Sequence, residues 1–331
     1  MGMAEYFVQG AWIGPASLSN SFVGNRSNRR LNQSLTGADH HDHTALLTDK
    51  YLTGLLLQAH GVPVPELRAV FATERSFGAV PTLRTAGDLA AWIADADNLP
   101  VFAKPVDGSM ALGSFPMQRA DQGHVEIGNQ VVPIADLAAE VAQTYPRGWL
   151  IQDQIRQPEE VEAMIGPGVG TVRLVTLWEA GGPQVLYGVW RHPAVGTWVD
   201  ADLDGKKNVG CALDPVTGSV KQVHLGDLFT GRELTHIPMA PDMPLVGFRI
   251  PEWDQMVEIC CSAHRIFPGH ALLGWDIAIS LRGPVICEVN SNPLHMSYQR
   301  AFGRGFLHPE HVARLNAART LMQQRCAGGG V

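Results

Sequence analysis

Gly274–Pro293 reads GWDIAISLRGPVICEVNSNP, and its pattern decides the fold. Two apolar runs of strand length flank a short Gly-Pro turn, which predicts an antiparallel hairpin. Side chains at i and i+2 of a strand share a face, so Glu288 and Asn290 point together. Asp276 joins them only if the two strands pair with the right parity. A three-residue loop, Arg282-Gly283-Pro284, supplies that parity by setting Asp276 opposite Asn290 with Glu288 on the diagonal, and a two-residue loop does not. Three oxygen donors converging among apolar neighbours suit Mg²⁺ bridging phosphate oxygens. On a solvent-facing edge strand the same residues would be ordinary solvated side chains.

The rest of the chain bounds this reading. A length of 331 residues, 45% hydrophobic and 17% charged, is enough for a substantial core divided into two or three subdomains. A formal net charge of -7 gives no general attraction to nucleic acid or to an anionic membrane. The five cysteines, at 211, 260, 261, 287 and 326, lack paired metal spacing, and two are adjacent, so a reducing cytoplasm is expected. The start MGMAEYFVQGAWIG lacks the order of a signal peptide, and no apolar run is long enough to span a bilayer.

Residues 1–45 carry no clear periodicity and are expected to be irregular. From Thr48, apolar residues at Tyr51, Leu52, Leu55, Leu56 and Ala59 followed by Gly61 and two prolines predict a capped amphipathic helix. TAGDLAAWIADAD, PIADLAAEVAQTY and PEWDQMVEICCSAHRIF are further helices. PVFAKPV, SFPMQR, HVEIG, QVVP, WLIQDQI, the long hairpin GTVRLVTLWEA with PQVLYGVWRHP, and CALDPVTGSVKQV are strands and hairpins. The order predicts an α+β fold with helices set against mainly antiparallel sheets. A nucleotide would need cations for its phosphates, a small-residue loop and a strand edge for its base, and Lys50, Lys104, the 107–114 loop and the strand at 150–155 are candidates.

TDKYLTGLLLQAHGVPVP, VFAKPVDGSMALGS, WLIQDQI, GTVRLVTL and GWDIAISLRGPVICEVNSNP, in this order, resemble the ATP-grasp superfamily, and within it the sugar-transfer-associated group related to α-L-glutamate ligases. The likeness covers about residues 46–310, and its most specific part is the Glu-Val-Asn strand with an aspartate twelve residues upstream. It implies two α+β subdomains clasping ATP between antiparallel sheets: a helical N-terminal region at 46–98, a small subdomain with the phosphate lid at 99–155, a large subdomain with the metal site at 156–310, and a C-terminal helix and tail at 311–331. It further implies that Lys50 and Lys104 touch the nucleotide's phosphates, that the lid carries Ser109 and Met110, and that Gln152, Asp153, Gln154 and Ile155 form a hinge reading the adenine and ribose. Arg173 would face the γ-phosphate or an acyl phosphate, with Arg191 and Asn208 near the phosphoacceptor. Asp276, Glu288 and Asn290 would hold two Mg²⁺ ions, with Mn²⁺ as a substitute.

The implied activity is an ATP-dependent ligase joining a carboxylate to an amine through an acyl phosphate. Its rivals are a phosphotransferase that releases its phosphorylated product and an inactive nucleotide-binding module. Three departures from the family pattern stand out, the first bearing on the acceptor site. Only about 45 residues precede the TDK helix, fewer than a separate N-terminal α/β domain needs, and the lid SMALGS and the stretch DGKKNVG differ from the patterns common in related ligases.

Other groups read more plainly. His40, His41, Asp42 and His43 are consecutive, and neighbouring side chains diverge, so a solvated loop is expected rather than a metal site. Trp190, Trp198 and Trp275 read as core, Lys206 and Lys207 as a solvated turn that only the resemblance raises to phosphate contact, and Cys211 as a packing residue. Ser109 and His192 lack the elbow and third partner of a hydrolase.

Overall fold

The computed structural model describes residues 21–37, 43–108, 111–194, 196–200, 209–226, 232–234, 236–237 and 240–328. The chain enters through helices α1 (Asn25–Gln33), α2 (His43–Thr48) and α3 (Lys50–Ala59). Asp49 caps α3, its carboxylate accepting the Tyr51 and Leu52 N–H groups that a first turn leaves unpaired. The sequence predicts an irregular segment where α1 stands. That expectation fails because the buried face of α1 is polar, carrying Asn28 and Asn32, so no apolar stripe announces it.

The first half of the fold is built from β1 (Leu67–Phe71), β2 (Thr82–Leu83), α4 (Ala86–Ala94), β3 (Val101–Pro105), β4 (Phe115–Asp121), β5 (His124–Ile127), β6 (Gln130–Pro133), α5 (Ile134–Thr144) and β7 (Trp149–Asp153). Its strands lie in the order β2-β1-β7-β3-β4-β5-β6 and pair antiparallel except for β1 with β2. β1 and β2 therefore bring part of the expected helical region, 46–98, into the sheet. Leu89 and Ile93 of α4 and Leu137 and Val141 of α5 cover one face, packed on Phe71, Val101, Ala103 and Ile151.

The second half follows with α6 (Glu159–Ile165), β8 (Thr171–Glu179), β9 (Gly182–His192), β10 (Val209–Leu213), β11 (Val220–Leu225), β12 (Arg232–Leu234), the ribbon β13 (His236–Ile237) and β14 (Ala240–Pro244), α7 (Trp253–His264), β15 (Leu272–Ser280) and β16 (Gly283–Asn290), then α8 (Met296–Phe302) and α9 (Pro309–Gly328). The second sheet runs β12-β11-β10-β9-β8-β15-β16, antiparallel throughout. It is covered on both faces, which explains why β8 and β15 read as nearly continuous apolar runs. Val172, Leu174, Trp275 and Ile277 face one core with Met256 and Cys260 of α7, while Val175, Leu177 and Leu272 face another with Tyr298, Phe306 and Leu315. Trp190, Trp253 and Trp275 are fully buried, each ring removing enough apolar surface from water to contribute roughly 1.5–3 kcal/mol. Among the described residues no helix is long and apolar enough to cross a membrane.

The β15–β16 hairpin departs from the expected register. Ser280 pairs with Gly283, so the loop has two residues, Leu281 and Arg282, and the ladder continues through Ile277 opposite Ile286. Left regular, that ladder would set Cys287 opposite Asp276 and turn Glu288 to the other face. A bulge between Asp276 and Ile277 instead pairs Asp276 with Glu288 and Gly274 with Asn290. The shared face is reached by one inserted residue, not by a longer loop.

Candidate functional site

Asp276 is the centre of the arrangement. It pairs across the ladder with Arg173 of β8, and the two form a buried ion pair: Arg173 Nε donates to Asp276 Oδ1, and Nη2 donates to Oδ2 at 2.8 Å. Arg191 of β9 adds a second guanidinium 3.1 Å from Asp276 Oδ1. Burial alone would raise the Asp276 pKa, but the two arginines outweigh it and hold the carboxyl at about 2. Asn290 approaches the same carboxylate, its Nδ2 lying 3.5 Å from Oδ2.

Two further members, Thr171 and Asp200, were not anticipated from sequence. Arg191 Nη2 also contacts Asp200 at 3.1 Å and donates to Thr171 Oγ1 at 2.6 Å, while Thr171 donates to Asp200. Burial pushes the Asp200 pKa up, opposed by Arg191. Thr171 was legible, because it stands two residues before Arg173 and so shares its face. Asp200 is the first of three closely spaced aspartates, with Asp202 and Asp204 after it, and no spacing singles it out. The Nε of Arg191 is buried and finds no acceptor among the described residues.

The two sheets meet at β16. Lys104 of β3, 8% exposed, donates from Nζ to the Cys287 carbonyl at 3.0 Å, so the bulge that corrects the hairpin parity also presents an acceptor to the opposite sheet. Burial lowers the Lys104 pKa, opposed by Cys287 and Glu288. Lys50, at the start of α3, donates to the Gly108 carbonyl at 2.7 Å and lies 3.6 Å from Glu288. Glu288 is about a third exposed, in contrast to the enclosed Asp276. These residues line a cleft of about 260 Å³ whose apolar walls include Leu47, Leu67, Leu150 and Ile286 and whose polar groups include Lys50, Lys104, Glu66, Gln152 and Glu288.

The expected hinge divides. Gln152 lines the cleft. Asp153, one residue on, points to the other face and pairs with Arg68 at 3.1 Å, which moves it away from the ribose role the resemblance implies. The backbone from Trp149 to Asp153 is hydrogen-bonded within the sheet, including Asp153 N–H to the Glu66 carbonyl. The free edge begins only at Gln154 and Ile155, whose backbone makes no hydrogen bond to other described residues. Ser109, Met110 and Asn208 lie outside the described residues, as do Lys206, Lys207, His40, His41 and Asp42. His43 opens α2. His192 is fully enclosed, its pKa pulled to about 3 by burial, and lies 3.5 Å from the equally buried Cys211, so neither is placed for chemistry on a substrate.

Whether this set fits a divalent cation turns on its donors. Among the described residues no three His, Cys, Asp or Glu side chains gather as a metal cluster. Asp276, Glu288 and Asn290 nevertheless present two carboxylates and one amide oxygen from adjacent strands, hard donors of the type Mg²⁺ takes, and on Asp276 the Oδ2 atom that accepts from Arg173 Nη2 keeps a second lone pair.

Two mainly antiparallel sheets, with lysines from the first half reaching a carboxylate-bearing edge strand of the second, define an ATP-grasp fold. The family model for sugar-transfer associated ATP-grasp matches residues 30–314, and the chain belongs to that family. A search of curated protein sequences finds no match. Among solved structures, the chain is similar to the D-alanine-D-alanine ligase from Coxiella burnetii, at 13% identity and a TM-score of 0.46, over 85% of this chain and 59% of that one. A D-alanine-D-alanine ligase from Bacillus anthracis complexed with ATP gives 10% and 0.43, over 85% and 68%. The ATP-grasp ligase PsnB complexed with a minimal precursor gives 14% and 0.42, over 84% and 62%. The chain thus spans 59% of the length of the Coxiella enzyme, and at such identities the family match decides membership.

Proposed function

We propose that the chain is an ATP-dependent carboxylate–amine ligase, forming an amide through an acyl phosphate and releasing ADP and phosphate. The observation that carries this reading is the meeting of Lys50 and Lys104 with Glu288 at one end of an apolar-walled cleft, next to the Asp276–Arg173–Arg191 cluster. An adenine fits the walls formed by Leu67, Leu150 and Ile286, with the free backbone of Gln154 and Ile155 as its hydrogen-bonding edge.

A substrate carboxylate oxygen attacks the γ-phosphorus, and the bond to the ADP oxygen breaks. An amine nitrogen then attacks the acyl carbon, phosphate leaves, and the nitrogen loses a proton. The first step brings anions together, so fixed positive charge is what it requires. Lys50 and Lys104 supply it on the nucleotide side, and the unpaired Nε of Arg191 offers a donor on the acceptor side. Mg²⁺ held by Asp276, Glu288 and Asn290 would neutralise phosphate oxygens.

The test is an ADP-release screen across carboxylate and amine pairs, with the product analysed for a new amide or for phosphate. Glu288→Gln is expected to abolish ADP release while leaving the fold intact, since a carboxylate a third exposed and 3.6 Å from Lys50 forms a loose pair worth about 1 kcal/mol. Unchanged turnover in that variant overturns the assignment of Glu288. A phosphorylated product points to a phosphotransferase, and no ADP with any pair points to a binding module.

A further inference from the structure

Helix α1 carries two almost completely buried asparagines, Asn28 and Asn32, 1% and 3% exposed, one turn apart on one face. Both amides address the turn that leaves β16. Asn32 Nδ2 donates to Asn292 Oδ1 at 2.8 Å and to the Pro293 carbonyl at 3.0 Å, and Asn28 Nδ2 donates to the same two acceptors at 3.2 and 3.1 Å. Their carbonyl oxygens accept in return: Asn28 from the His295 N–H at 2.9 Å and Asn32 from His295 Nε2 at 2.9 Å. With Nε2 donating, Nδ1 of His295 accepts from the Tyr187 hydroxyl at 2.9 Å. His295 is buried, and burial holds its pKa well below the usual histidine range, consistent with the neutral ring this pattern needs.

The clamp reaches the site through two groups. Asn290 lies two residues before Asn292, so the turn's path sets where its amide points. Pro293 folds over Gly274, the residue opposite Asn290: a Cβ added at Gly274 would come 2.6 Å from Pro293 Cβ and 3.5 Å from Arg173 Cδ. The proline ring is thus packed beside the arginine that grips Asp276. A turn connection held by one hydrogen bond would leave this end of β16 free to shift, whereas two amides on a helix fix it from outside the sheet.

We propose that α1 is a positioning element for the cation site, Asn28 and Asn32 locking the turn after β16 and thereby the placement of Asn290 and Arg173. The inference rests on the reading of Asp276, Glu288 and Asn290 as Mg²⁺ donors. Its test measures ADP affinity of the full-length protein by calorimetry, with and without Mg²⁺, for the wild type, Asn32→Asp and Asn28→Ala, beside their melting temperatures. Asn32→Asp keeps the volume but cannot donate to Asn292 or Pro293, and Asn28→Ala leaves the Asn32 contacts to hold the fold. Metal-free affinity, which draws on Lys50, Lys104 and the cleft walls, is expected to stay at the wild-type value in both. The gain in affinity on adding Mg²⁺ is expected to shrink about tenfold or more, the usual size of a loss behind a metal ligand. If both variants keep the wild-type ratio of Mg²⁺-bound to metal-free affinity, the positioning role is refuted even where the melting temperature falls. If wild-type affinity does not respond to Mg²⁺, the cation-site reading fails and takes this inference with it.

Discussion

Arg173→Met tests the centre of the site through stability, independently of any substrate. Arg173 and Asp276 are both buried, at 7% and 6% exposure, and the arginine makes two hydrogen bonds to the carboxylate. Removing one partner of such a pair leaves an uncompensated charge, which typically costs about 3–5 kcal/mol. Arg191 remains 3.1 Å from Asp276, so the low end, about 3 kcal/mol, is expected. With an unfolding entropy of about 2.1 cal/mol/K per residue over 331 residues, roughly 0.7 kcal/mol/K, that loss lowers the melting temperature by about 4 °C. Arg173→Met combined with Asp276→Leu removes both charges and fills the site with apolar atoms, and Arg191 keeps Asp200 and Thr171 as partners. The double variant is therefore expected to recover about 2 kcal/mol of the loss while remaining inactive. Urea unfolding of the four proteins completes the cycle. A single variant costing under about 1 kcal/mol, or a double variant no more stable than the single, refutes the buried pair as the organiser of this face.

Acid sensitivity follows from the same carboxyl. Its folded pKa of about 2 lies below the ordinary value of about 3.9, so its contribution is present above that value and is lost as pH falls towards 2. Wild-type stability should fall more steeply than that of Asp276→Asn between about pH 4 and 2, and parallel curves by circular dichroism would contradict it. Lys104 shifts in the same direction for a different reason: burial lowers its pKa, and a bound polyphosphate favours the charged form, so nucleotide binding should take up a proton wherever the pH lies between the lowered value and the restored one. Calorimetric heats should then vary with buffer ionisation enthalpy in the wild type and not in Lys104→Met; buffer-independent wild-type heats would reject the assignment. Gly128 has φ +57°, and a Cβ there would come 2.7 Å from Trp198 Cδ1, where the β5–β6 turn meets the segment carrying Asp200. Gly128→Ala should cost about 1–2 kcal/mol and change Trp198 fluorescence, and an unaltered spectrum and melt would show the contact to be slack.

The sheets were legible because their apolar runs have the right length and are bounded by turn residues, and β8 and β15 carry their polar side chains at spacings that survive burial. The cleft lysines were legible for a different reason. Each stands at a fixed place on an otherwise apolar element, Lys50 at the first position of α3 after its Asp49 cap and Lys104 on a strand whose neighbours are buried. Gln152 and Asp153 separate because a strand gives alternate faces to adjacent residues, and the sequence alone did not say which of the two lines the cleft. Asp200 was missed because its position is set by contacts to Thr171 and Arg191 and not by any local period.

Two features were hidden for a common physical reason. The face shared by Asp276, Glu288 and Asn290 depends on pairing parity, and parity is changed equally by one residue in the loop or one residue in the strand. A reading that lets only the loop vary reaches the correct face by a wrong route, since the two-residue turn is compensated at Cys287. Helix α1 is hidden because hydrophobic periodicity detects helices that bury oil against oil, whereas Asn28 and Asn32 bury amides against the carbonyls and imidazole that receive them. An amide that is both donor and acceptor can replace an apolar contact at no desolvation penalty only when every partner is in place. The polar face of α1 therefore makes sense only against the turn after β16, and the turn holds its path only with α1 beside it. A polar helix that no periodicity announces, clamped on the turn that leaves a carboxylate-bearing strand, is where hydrophobic pattern carries least information and where each buried amide depends on its partners.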